Sequence, residues 1–99
     1  MSYDSVKECL IQGFLHHANG DFDQEIAACT QAVQLDPNDA DLYVFRGSAY
    51  ISKGDYDMAI ADIETALRLD PGNERVKQLI ELVKQARGGS SRQGAKAEK

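Results

Sequence analysis

The sequence predicts an all-α fold: an α-solenoid of two antiparallel helix-turn-helix repeats plus a capping helix, five helices in all, with a disordered C-terminal tail. Three observations predict it. Residues 6–39 set against residues 40–73 give a period of 34 with ten identities: Gly13/Gly47, Gly20/Gly54, Asp21/Asp55, Asp23/Asp57, Ile26/Ile60, Ala27/Ala61, Ala32/Ala66, Leu35/Leu69, Asp36/Asp70 and Pro37/Pro71. Each copy is punctuated as a helical hairpin, with a glycine in its middle and a proline near its end. Residues 74–87 place Val76, Leu79, Ile80 and Val83 on one side of a helix and Glu74, Arg75, Lys77, Glu81, Lys84 and Arg87 elsewhere.

Within each repeat, Gly20 or Gly54 ends the first helix and Asp21 or Asp55 caps the second. Asp23 or Asp57 then falls in the first turn, where negative charge complements the helix dipole, and Phe22 or Tyr56 anchors the helix start in the core. Pro37 and Pro71 follow the helix ends. Gly13 and Gly47 stand mid-helix, where glycine costs about 1 kcal/mol relative to alanine, so another backbone is expected to come close there. Ala32 and Ala66 are expected to supply the facing gap. The fifth helix is capped by Asn73 and expected to stop at Gly88-Gly89. Glu81 and Arg87 stand where a third repeat would need glycine and a loop, so this helix reads as a cap on the stack. The expected organisation is a domain over 1–87 (repeats 6–39 and 40–73, capping helix 74–87) and a disordered tail over 88–99, GGSSRQGAKAEK, with no aliphatic residue larger than alanine.

The second copy, with Gly47, Ala49, Tyr50, Gly54, Asp55, Tyr56, Ala59, Ile60, Ala66, Leu67, Leu69, Asp70 and Pro71 in place, resembles the tetratricopeptide repeat family. The resemblance covers 68 of 99 residues. The first copy departs from the pattern: Gln12 replaces the usual leucine, His16 the tyrosine, Glu25 the alanine and Cys29 the aromatic. The resemblance implies a non-enzymatic adaptor, co-chaperone-like in kind, that binds another protein or peptide. Some members grip acidic chaperone tails with a Lys and Asn clamp. The matching positions here are Leu10, Phe14 and Phe45, so the resemblance implies a mainly apolar segment instead.

Composition narrows the function classes. With 42% apolar residues, one modest core is expected. No window approaches the run of about 20 apolar residues that a membrane span needs. The start MSYDSVKECL lacks the order of a secretory signal, and Cys9 and Cys29, at neither zinc-finger nor CxxC spacing, fit a reducing compartment. A cytoplasmic protein is expected. The net charge of −5 divides into −9 over residues 1–73 (13 acidic, 4 basic) and +4 over residues 74–99 (3 acidic, 7 basic). An acidic body repels phosphate backbones, so neither nucleic acid nor a membrane is an expected partner. Arg92, Lys96 and Lys99 have no interleaved aromatic to stack a base.

Three constellations invite a chemical reading, and each has a plainer one. Asp21-Phe22-Asp23 and Asp55-Tyr56-Asp57 alternate carboxylates as a calcium loop does, but lack its third ligand, turn glycine and distal Glu. Capping is the better account. Cys9, His16, Glu25 and Cys29 are legitimate zinc ligands, yet they are dispersed over two helices without a recognised spacing. A seam of two buried thiols with His16 hydrogen-bonded to Glu25 is preferred, and no metal or other cofactor is expected. A Cys-His nucleophile pair is conceivable, but no oxyanion hole, phosphate loop or carboxylate pair accompanies it, so no catalytic residue is assigned.

Helical geometry places a partner-binding groove on the face of each first helix that turns away from its hairpin mate. Its expected lining is Lys7, Leu10, Phe14 and His17 from the first copy, Asp41, Val44, Phe45 and Ser48 from the second, and Arg75, Gln78 and Leu82 from the cap. Leu15, Ala49 and in part Ile11 and Phe45 are expected to pack against the neighbouring hairpin. Leu10 and Phe14 have no preceding repeat to cover them, and such an apolar surface usually marks an interaction site. The alternative is self-assembly: a homodimer burying Leu10, Ile11, Phe14 and Leu15.

Overall fold

The computed structural model describes residues 5–97, with side chains through residue 88. Its helices are α1 (Val6–Ala18), α2 (Phe22–Leu35), α3 (Ala40–Lys53), α4 (Tyr56–Leu69) and α5 (Glu74–Ala97), and no strand occurs among the described residues. Each helix packs chiefly on the next in sequence, so α1 with α2 and α3 with α4 form two hairpins and α5 closes on α4.

The two hairpin turns are built by the same hydrogen bonds 34 residues apart. Asp21 N–H donates to His16 O (2.8 Å) and Gly20 N–H to His17 O (3.0 Å); Asp55 N–H donates to Tyr50 O and Gly54 N–H to Ile51 O (both 2.9 Å). These bonds require a left-handed residue, which glycine supplies without a Cβ penalty, at φ +76° for Gly20 and +88° for Gly54. Caps follow the sequence with one exception. Asp55 accepts from Met58 N–H (3.3 Å) and Asn73 from Val76 N–H (3.2 Å), while Asp21 occupies the cap position of α2 without a side-chain hydrogen bond. The second aspartate of each turn also reaches the next unit of the stack: Asp23 pairs with Lys53 of α3 (2.7 Å) and Asp57 with Arg87 of α5 (2.8 Å), again 34 residues apart.

Two apolar clusters hold the stack. Ala59, Ile60, Ile63, Ala66, Val76, Ile80 and Val83 join α4 to α5, with Tyr43, Val44, Tyr56 and Leu79 packed against them. Cys9, Ala32, Val33 and Leu42 join the first hairpin to α3, with Leu10 and Tyr43 alongside. Ala32 and Ala66 are fully buried there but do not face the mid-helix glycines. A Cβ on Gly47 would lie 3.2 Å from Ile63 Cγ1 and 3.3 Å from the Ala59 carbonyl oxygen; one on Gly13 would meet Cys29 Sγ at 3.7 Å and Ala28 Cβ at 3.9 Å. In an antiparallel pair, residues ascending one helix meet residues descending the other. Gly13 therefore meets residues 28 and 29, and residue 32 lies one turn away at the level of Cys9. Ala49 is buried as expected, whereas Leu15 (54% exposed) and Ile11 (47%) are not covered by the next hairpin. They sit exposed on the outer side of α1.

α5 continues past the stop expected at Gly88-Gly89 as far as Ala97. Glycine lowers helix propensity by about 1 kcal/mol but keeps its N–H, so the ladder of backbone bonds has no obligatory break there. Among the described side chains, none after Val83 is buried. Residues 98 and 99 of the expected tail lie outside the described residues.

Candidate functional site

Four-residue and three-residue steps along α1 bring Leu10, Gly13, Phe14 and His17 to one side, where they meet Glu25 and Cys29 of α2 and Phe45 and Ser48 of α3. Together they line a pocket of about 180 Å³. Phe14 is 61% exposed and stands edge-on to Phe45, with ring centroids 6.3 Å apart and planes at 76°. This is a favourable aromatic geometry that holds both rings at the rim without burying them. Leu10 is half-buried against the Cys9 cluster and forms the inner wall.

One charge stands in this apolar setting. Glu25 occupies a position on α2 that faces α1, and its side chain is only 10% exposed. Its partner is His17, with Nδ1 3.0 Å from Oε1, and not His16 as the sequence suggested. His17 and His16 flank the Gly13 stripe of α1, about 40° and about 60° from it on opposite sides, and Glu25 stands on the His17 side. The His17 ring also leans on Phe22, at 5.7 Å between centroids. Cys29 registers the local field: burial first and then the Glu25 charge push its thiol up to about 11, against a smaller opposing effect of Arg46. Burial, then Glu8, likewise raises the Cys9 thiol. Both cysteines are buried and free. Among the described residues, no three His, Cys, Asp or Glu side chains come together as a metal-binding set.

Five of the expected groove residues, Leu10, Phe14, His17, Phe45 and Ser48, converge on this pocket. The others do not. Val44 packs half-buried against the α4–α5 cluster; Lys7, Asp41 and Arg75 are exposed outside the pocket; Gln78 and Leu82 line a separate shallow hollow on α5 with Lys77 and Glu81. Gly13, Glu25 and Cys29 were not expected in the lining. The replacement of the usual alanine by Glu25 and the usual aromatic by Cys29 was the signal, because both exchanges empty or polarise the seam. A second polar feature escaped the sequence: Arg46 donates from Nε and Nη2 to both carboxylate oxygens of Asp62 (2.8 and 2.7 Å), and its Nη1 lies 3.4 Å from Thr30 Oγ1. This fork ties α3 to α4 and touches α2.

The tetratricopeptide repeat family model matches residues 12–84, most of the chain. The chain belongs to the tetratricopeptide repeat family. Its fold is similar to that of the TPR2B domain of yeast Sti1, solved as a pHsp70 complex, with a TM-score of 0.75 and 25% identity over 82% of this chain and 65% of that one. It is also similar to the second TPR domain of human RPAP3, solved by NMR with the HSP70 peptide SGPTIEEVD, at a TM-score of 0.73 and 25% identity over 81% of this chain and 67% of that one. This tetratricopeptide repeat chain thus spans about two thirds of the length of these structures. No curated protein sequence matches it. As a member of the family it is a protein-interaction module, and among its described residues no helix is long and apolar enough to cross a membrane.

Proposed function

We propose that the chain is a non-enzymatic, cytoplasmic adaptor whose pocket between α1, α2 and α3 takes a mainly apolar segment of another protein. The observation that carries this reading is the exposed Phe14 ring, propped against Phe45 over an apolar pocket of about 180 Å³. A solvent-facing aromatic pair above an unfilled hollow is an anchor site in search of a side chain. The Sti1 and RPAP3 structures hold Hsp70 partners, and the RPAP3 peptide SGPTIEEVD carries three carboxylate side chains. Here the positions matching the family's Lys and Asn clamp are Leu10, Phe14 and Phe45, so an acidic tail finds no cation in the pocket. The module is co-chaperone-like in fold, with a different ligand. Lys7 and Arg75 are exposed outside the pocket, and in this reading they orient the ends of a bound segment.

Affinity capture from a native lysate tests the reading. Phe14→Ala, a change at an exposed ring, should leave the helical content intact and remove the proteins captured by the wild type. Equal capture by both would overturn the pocket assignment. The half-exposed Ile11 and Leu15 on the outer side of α1 favour a second reading, a homodimer through that face. Sedimentation over a range of concentrations separates the two: a dimer dissolved by Leu15→Asp supports self-assembly, and a monomer throughout excludes it.

A further inference from the structure

The pocket is apolar except at Glu25, and that exception constrains what fills it. Any occupant covering Phe14 and Phe45 takes the remaining water from the Glu25 carboxylate, which is already nine-tenths buried. His17 gives that carboxylate a hydrogen bond but no permanent charge, and no lysine or arginine lines the pocket. The nearby cation, Arg46, is committed to Asp62 through Nε and Nη2 and to Thr30 through Nη1. An apolar anchor would therefore deepen the burial of an uncompensated charge, and an acidic one would place like charges together; both cost free energy. A basic anchor does neither.

We propose, building on the docking reading above, that the residue seated in this pocket is an arginine or lysine carried by an otherwise apolar partner segment. Its aliphatic stem lies along Leu10, Phe14 and Phe45, and its cation meets the Glu25 carboxylate beside His17. The aromatic pair contributes twice, because the ring faces that shelter the stem also attract a cation. A pocket of about 180 Å³ has room for one such side chain, since a cavity of about 150 Å³ admits a benzene ring. The surroundings agree: residues 1–73 carry a net −9, which draws in a basic segment and repels an acidic one.

The test is selection of a phage-displayed library of random peptides on the full chain, followed by binding of one selected synthetic peptide. Enriched peptides should carry arginine or lysine among apolar residues. Replacing that arginine by citrulline, which keeps the shape and removes the charge, should weaken binding to the wild type by about tenfold or more. The same exchange should make little difference against Glu25→Gln, and Phe14→Asp should lose both peptides. Apolar peptides without a basic residue, or equal binding of the arginine and citrulline forms, would overturn this inference and leave the docking reading standing, whereas acidic peptides would overturn both. Failure to select any peptide that distinguishes wild type from Phe14→Asp would overturn both. Should Glu25→Gln not fold, the citrulline comparison on the wild-type chain decides alone.

Discussion

The two hairpins share a 34-residue phrase and the same turn hydrogen bonds, yet each buries its one carboxylate differently. Glu25 and Asp62 are the buried charged residues among the described side chains. In the second hairpin Asp62 is sealed by the two-pronged Arg46, with side-chain exposures of 6% and 19%. In the first, Glu25 pairs with His17, which is open to water, and the seam beside it stays unfilled. The equivalents of Arg46 and Asp62 in the first hairpin are Gln12 and Ala28, and those of His17 and Glu25 in the second are Ile51 and Ala59. Identical positions therefore set the backbone path. The positions that differ decide whether the seam between paired helices is solid or carries a pocket.

The largest expected effect breaks the solid seam. Arg46→Ala leaves Asp62 buried without its partner, which should destabilise by about 3 kcal/mol or more in urea unfolding. Gln12→Ala, the matching change in the first hairpin, should fall within about 0.5 kcal/mol. Converting the second seam to the first by combining Arg46→Gln with Asp62→Ala should recover much of the loss, because no orphan charge then remains. Equal costs for Arg46→Ala and Gln12→Ala would mean that the two seams do not differ in energy.

The same substitution in the two glycines should act with opposite sign. At Gly13 the nearest atoms to an added methyl lie at ordinary contact distance, so Gly13→Ala should stabilise by about 0.5 to 1 kcal/mol through helix propensity. At Gly47 the methyl would press on the Ala59 carbonyl, a backbone atom that cannot swing aside, as well as on Ile63. Gly47→Ala should therefore destabilise, and Gly47→Leu should cost about 1 to 3 kcal/mol. Glycines that respond alike in thermal unfolding would show that the hairpins are packed equally tightly.

What the sequence disclosed, and what it hid, follows the range of the interaction. The glycine turns and the Asp55 and Asn73 caps were legible because each depends on residues within a few positions, and the period because the two copies align directly with each other. Helical spacing and the repeat put Phe14 and Phe45 on the same flank of their two helices, but their edge-on contact, which joins α1 to α3, was not legible. The partner of Glu25 was not: choosing His17 over His16 needs the rotation of α1 against α2, which differs by one residue. Arg46–Asp62, Lys53–Asp23 and Arg87–Asp57 were hidden for the same reason, as each joins different helices. Val44 and Leu82 lie outside the pocket, the one half-buried against the α4–α5 cluster and the other in a separate hollow on α5, positions that depend on how whole helices stack.

The smallest expected difference concerns the aspartates that open α2 and α4. Both backbone carbonyls accept the first helical bond, Asp21 O from Glu25 N–H (3.0 Å) and Asp55 O from Ala59 N–H (3.1 Å), so the helix starts are equivalent in the main chain. Only the Asp55 carboxylate also accepts from an orphan N–H, that of Met58. Asp55→Ala should then cost about 1 kcal/mol, and Asp21→Ala only a few tenths through loss of negative charge at the helix N-terminus. Raising the salt concentration sharpens the distinction: screening should shrink the Asp21 effect while leaving most of the Asp55 effect, because a cap hydrogen bond is less sensitive to ions than a dipole contact. If both aspartates lose the same amount at every salt concentration, the two turns are alike in their side chains as well as their backbones. The looseness of the first hairpin would then be confined to the seam around Gly13 and Glu25, where the pocket lies.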